Sequence, residues 1–187
     1  MLKDFIDQKL INLDAPIGSA MWESLKPVLM AEQEASVRKM VAVAAASMEP
    51  AGKSVVASVI SPQTVADLAS HGVALNDAAI WLRDKELVHA IRDKKDGRGA
   101  ALPLDVWLNL TKYLDQATPY LDTLDQALIY AFDIPGELGK IVVRINYSSK
   151  VNRESLNSNF IRTGGLIEQQ DLLEVLPKGN RRYVPLN

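Results

Sequence analysis

Residues 140–165, KIVVRINYSSKVNRESLNSNFIRTGG, decide how this chain is read. An apolar strand from Lys140 to Tyr147, a loop rich in Ser and Asn, and a second short strand from Asn159 to Thr163 follow one another. Basic, amide and hydroxyl side chains (Lys140, Arg144, Asn159, Arg162, Thr163) recur among Ile, Val and Phe. Branched and aromatic residues favour strands. The mixture predicts a sheet with one apolar face and one wet face, and the wet face suits an anion.

The pattern extends upstream. Ala127-Leu-Ile-Tyr-Ala-Phe132 predicts another strand, and Ile134-Pro-Gly-Glu-Leu-Gly139 is turn chemistry, so the two strands form a hairpin. Further back the periodicity is helical. Ser19 caps a helix carrying Leu25, Val28, Leu29, Val37, Met40, Val41 and Ala44. Pro27 fits near its start or kinks it, and Glu49-Pro-Ala-Gly52 ends it. Ser61-Pro62 opens a second helix that runs to about Ser70 and closes at Gly72. Ile80-Trp-Leu82 fits a short strand or a turn of helix. Asp84 caps Lys85–Arg92, and Leu102-Pro-Leu-Asp-Val-Trp107 opens another helix. Lys94–Gly99 is a polar stop, Leu166–Leu176 has helical spacing, and Tyr183-Val184 adds a last short strand.

Composition excludes several chemistries. With no Cys there is no disulfide, thiolate metal site or catalytic thiol, and two His are too few for a His-rich metal centre. No phosphate-cradling Gly-rich motif is present, so neither metal nor cofactor is expected. The first 14 residues mix charge into their apolar positions, unlike a signal peptide. The longest apolar run, Met40–Met48, is far shorter than the roughly 20 residues that cross a bilayer. The expectation is a cytoplasmic protein with no membrane partner. Net charge is −2, yet residues 138–187 hold eight Lys or Arg against four Asp or Glu. A basic end on an acidic body points to an anionic partner for that end, or to an ordinary solvated surface.

From Ile80 to Val184 the order of elements resembles the phage barnase/EndoU/colicin/RelE-like nuclease domains, as carried on Mu F-like head-morphogenesis and polyvalent proteins. Ile80-Trp-Leu-Arg-Asp-Lys-Glu-Leu87 resembles their opening strand and helix, and Leu102-Pro-Leu-Asp-Val-Trp107 the entry to their second helix. Leu121-Asp-Thr-Leu-Asp125 before Ala127-Leu-Ile-Tyr130 resembles the acidic lead into the first hairpin strand. Lys140–Arg144 resembles the return strand, and Asn159–Thr163 the strand that brings a hydroxyl to the active face. The expected fold is α+β: a helical region over residues 1–75, which lies outside the resemblance, then a nuclease-type domain over 76–187. In that domain a small antiparallel sheet of about four strands carries helices on one face.

The resemblance also implies metal-independent RNase chemistry, which needs a base, an acid and cations for the phosphorane. His89 is the candidate base or acid, because its ordinary pKa lies near working pH. Arg144 and Arg162 would clamp phosphate, and Thr163 would hydrogen-bond a phosphate oxygen. Arg92, Lys140 and Asn159 would help bind substrate. Each has a plainer reading. His89 suits a helix surface, Arg92 a helix ion pair, and the strand arginines a decorated sheet face. Trp81 and Trp107 suit the core better than base stacking. The chain lacks a dense cationic cluster and a basic net charge, both of which nucleic-acid binding favours. Two functions remain expected. One is an RNA-binding or RNA-cleaving phage or prophage protein. The other is a non-catalytic head-morphogenesis module with phage head proteins as partners, cytoplasmic or on the virion. Third, and below these, stands a bacterial protein that binds a partner through its Ala-rich N-terminal helix.

Overall fold

The computed structural model describes residues 19–93, 100–167 and 182–187. Helix α1 (Ser19–Ser47) is followed by β1 (Ser54–Val59), α2 (Pro62–Ser70), β2 (Ala79–Arg83) and α3 (Asp84–Asp93). After these come α4 (Leu104–Leu108), α5 (Leu110–Gln116), β3 (Thr118–Asp122), β4 (Ala127–Ile134), β5 (Glu137–Val151), β6 (Glu154–Ile167) and β7 (Tyr183–Pro185). The fold is mixed α+β. Its seven strands form one sheet in the order β1-β2-β6-β5-β4-β3-β7. All neighbours run antiparallel except β2 and β6, which pair in parallel through Ile80↔Asn159 and Trp81↔Phe160.

The sheet is larger than the four strands expected, for identifiable reasons. The Ser- and Asn-rich stretch at 148–158 is strand on both sides, pairing Ser148 with Asn157 and Val151 with Glu154. Asn152 and Arg153 turn the chain with φ of 51° and 71°. That is the two-residue mirror-type turn whose twist matches a hairpin. Ser and Asn are weak strand formers, but a hairpin held at its turn supplies every ladder bond, and context overrides propensity. β1 pairs with β2 although its Ser-Val-Val-Ala-Ser-Val run carries no alternation to announce it. β3 is the second strand the sequence did not declare. Ile80-Trp-Leu82 is strand, not helix. Leu166 and Ile167 end β6, while the remainder of the expected Leu166–Leu176 helix and the Lys94–Gly99 stop lie outside the described residues.

One apolar core crosses the boundary expected at residue 75. On α1, Leu29, Gln33, Val37, Met40, Val41 and Ala44 form a buried stripe at helical spacing. Val37, Met40, Val41 and Ala44 join Ile80, Leu82, Leu87, Trp107, Leu128, Ile141, Val143 and Ile161 in a single cluster. Among the described residues, 19–75 supply the core helix α1, the edge strand β1 and α2 to that cluster. Trp107 is 2% exposed and packs so close to β6 that a Cβ on Gly164 would lie 3.0 Å from its ring, 2.6 Å from Ile141 and 2.9 Å from Leu102. Among the described residues no helix is long and apolar enough to cross a membrane.

Alternation then sorts the strands' other side. Ile141, Val143 and Ile145 on β5 point into the core, so Lys140, Val142 and Arg144 point to the opposite, outer face. Trp81 and Arg83 on β2, Phe160 on β6, and Ala127, Ile129 and Ala131 on β4 share that face by register.

Candidate functional site

The outer face of β5 and β6 gathers the cations that the sequence picked out. Lys140 lies opposite Ala131 and Gly165, and Arg144 opposite Ala127 and Phe160. The register slips by one residue between Val142↔Thr163 and Val143↔Ile161. Ile161 is buried in the core, while Arg162 and Thr163 are both exposed. The extra residue of this bulge releases both side chains from the core, which is what bulges do when they re-aim a strand. Lys140, Arg144, Arg162 and Thr163 thus stand on adjacent rungs of two paired strands. None of the three cations has a carboxylate partner among the described residues.

Aromatic side chains lie between them. A second slip, between Arg144 and Tyr147, lets the Arg144 guanidinium sit 5.1 Å from the centre of the Tyr147 ring. Tyr147 is 38% exposed and meets Phe160 edge-on at 6.2 Å. The Arg83 guanidinium lies over the Phe160 ring at 5.1 Å from its centre. This stack of Arg144, Tyr147, Phe160 and Arg83 spans three strands. Cation–π contacts of this kind orient a guanidinium without consuming its hydrogen-bond donors. Arg83 is spent, since Glu86 accepts from its Nε at 3.0 Å and from Nη2 at 2.5 Å, and Ser149 Oγ from Nη1. Arg182 at the far edge is spent likewise, on both oxygens of Asp122 at 3.0 Å. The face therefore divides into neutralised arginines and the open set Lys140, Arg144 and Arg162.

The other expected residues lie elsewhere. His89 is exposed on α3, in the helical layer that packs Leu87 and Val88 against the core. Arg92 donates to Met48 O and so ties the end of α3 to the end of α1. Asn159 is completely buried, its Nδ2 donating to Asp77 O and Ala79 O at 2.9 Å and its Oδ1 accepting from Asn146 N at 3.2 Å. No amide group of Asn159 is left for a substrate. Trp81 is half-buried on the outer face, not in the core, and its Nε1 has no partner.

Two carboxylates complete the electrostatics. Burial pushes the Asp77 carboxyl up, against the pull of Ser158 Oγ at 2.7 Å and Ala79 N at 3.0 Å. Burial also raises Asp122, but Arg182 and the Leu124 and Asp125 amides outweigh it and hold that carboxyl below its ordinary value.

The chain matches no family model, no curated protein and no solved structure. Its site therefore rests on geometry. Tyr147, Phe160 and Arg83 were not singled out from sequence. The only local signal was their aromatic or basic character within strands, and the slips that align them are invisible in a linear pattern.

Proposed function

We propose that the outer face of β5 and β6 binds the phosphate backbone of single-stranded RNA, in a phage or prophage protein, and that it binds without cleaving. The observation that carries this is the juxtaposition of Lys140, Arg144 and Arg162, free of acidic partners among the described residues, with Thr163 and the exposed Tyr147 ring. Cations that follow a backbone and rings on which bases stack are the recurring elements of single-strand binding. The resemblance to barnase/RelE-like domains supports the same face. Cleavage has less support, because Asn159 is buried and His89 stands exposed on α3, whose Leu87 and Val88 pack into the core.

The test is RNA binding and RNA cleavage by the purified protein in EDTA, beside Arg144→Ala and His89→Ala. Binding that weakens in Arg144→Ala, with RNA left intact, is the expected result. EDTA-resistant cleavage lost in His89→Ala would restore the RNase reading. No binding at low salt would favour the head-morphogenesis module instead.

A further inference from the structure

On the helical side, away from the cationic face, a cleft of about 570 Å³ opens between α1, β1, the start of α2 and α5. Trp22 and Lys26 line it from α1, Ser58 and Val59 from β1, Asp115 from α5 and Tyr130 from β4. A recess of about 20 Å³ shares Trp22, Lys26, Ser58, Val59 and Asp115 with the cleft and is lined also by Leu29, Met30 and Gln33. The cleft is within the size range of small-molecule sites, whereas the recess holds about one water.

Gln33 is the anomaly. It sits on the buried stripe of α1 at 3% exposure, and its Nε2 has no hydrogen-bond partner. A buried amide donor left unpaired is costly, and most such groups are paired. At the same position an apolar residue would extend the stripe of Leu29 and Val37. The amide is therefore an unused donor on a residue that lines the recess beside the cleft. Tyr130 adds a second donor. It is 6% exposed, lines the cleft, and burial pushes its phenol far up, so the hydroxyl keeps its proton.

The walls set the charge of the occupant. Lys26 Nζ is paired with Asp115 Oδ1 at 2.7 Å, and Glu23 also lines the cleft. Two carboxylates against one ammonium disfavour a phosphate or carboxylate ligand. Trp22, Val59, Leu114 and Pro119 supply a flat and apolar side.

We propose that this cleft binds a neutral ring-shaped molecule with carbonyl or hydroxyl acceptors, seated against Trp22 with one acceptor turned to Gln33 Nε2. Nucleosides and N-acetylated sugars share that chemistry.

The test titrates adenosine, uridine, N-acetylglucosamine and inorganic phosphate into the full chain, followed by tryptophan fluorescence and ligand-observed NMR. Saturable binding of a neutral compound is expected, with none for phosphate, and the compound that binds separates nucleoside from sugar. Gln33→Leu should weaken that binding about tenfold, the cost of one unmade buried hydrogen bond. Its melting temperature should hold or rise, since no unpaired donor remains. Tyr130→Phe, a milder change, should weaken binding severalfold. The proposal falls if none of the neutral compounds saturates at millimolar concentration, or if both variants bind as the wild type does. The recess then holds water only. RNA binding should be the same in Gln33→Leu as in wild type, so this result and the fate of the cationic face are read separately.

Discussion

Removing Arg144 should change how salt weakens RNA binding, and the size of the change follows from the ion pairs. Each phosphate neutralised on a single strand contributes about −0.7 to the slope of log K against log salt. Three cations on the outer face, Lys140, Arg144 and Arg162, lack carboxylate partners among the described residues. Three contacts give a slope of about −2, or roughly a twentyfold loss of affinity over a fourfold rise in salt. Arg144→Ala should bring the slope to about −1.4, and so should Arg162→Ala. Arg182→Ala is the control. That guanidinium is held by both oxygens of Asp122, which is only 4% exposed. Its loss should lower the melting temperature and leave the slope alone. The assay is fluorescence anisotropy of a labelled single-stranded RNA across a potassium chloride series. Equal slopes for wild type, Arg144→Ala and Arg162→Ala would refute the reasoning. So would a slope change in Arg182→Ala as large as theirs.

Other outcomes follow from the packing and the two perturbed carboxylates. Gly164→Ala should cost about 1–3 kcal/mol by chemical denaturation, since its Cβ would press on Ile141, Leu102 and Trp107 in a filled core. Asp77→Ala should cost about 2–5 kcal/mol, because it orphans the buried Ser158 hydroxyl and the Ala79 amide. Asp77→Asn keeps the accepting oxygen and should stay close to wild type at neutral pH. The Asp77 carboxyl is raised on folding, so its charge opposes folding above its unfolded pKa. Wild type should therefore gain stability relative to Asp77→Asn as the pH falls from neutral into the acid range. Asp122 has the opposite sign. Its depressed carboxyl contributes stability above its unfolded pKa, and wild type should lose that advantage over Asp122→Asn as the pH drops below about 3.8. Thermal melts from pH 7 to pH 2.5 read both differences.

Much of the fold was legible where the signal is local. Ser61 caps α2 through Thr64 N at 3.1 Å, Gly72 follows that helix with a φ of 78°, and the Pro135-Gly136 turn closes the β4–β5 hairpin. Capping and turn chemistry act between residues a few positions apart, so sequence exposes them. Asp84 shows the limit. Its position ahead of Lys85–Arg92 predicts a cap for that helix, yet Asp84 is the first residue of α3 and its Oδ2 accepts from the Ala51 and Lys53 amides at 2.7 and 3.0 Å. The competing partners come from a distant segment that no local pattern announces.

By itself, the sequence determined the helices, the strong strands and the cationic character of residues 140–163, because periodicity and residue chemistry are properties of neighbours. Only the tertiary structure decided which of those residues meet. The parallel pairing of β2 with β6 buried Asn159 against Asp77 and took it from any site. A one-residue slip between β5 and β6 turned Arg162 and Thr163 outward beside Arg144. α3 packed Leu87 and Val88 into the core and left His89 exposed. Register and layer are set by contacts between segments tens of residues apart, where one residue of slip exchanges a core position for a solvent one.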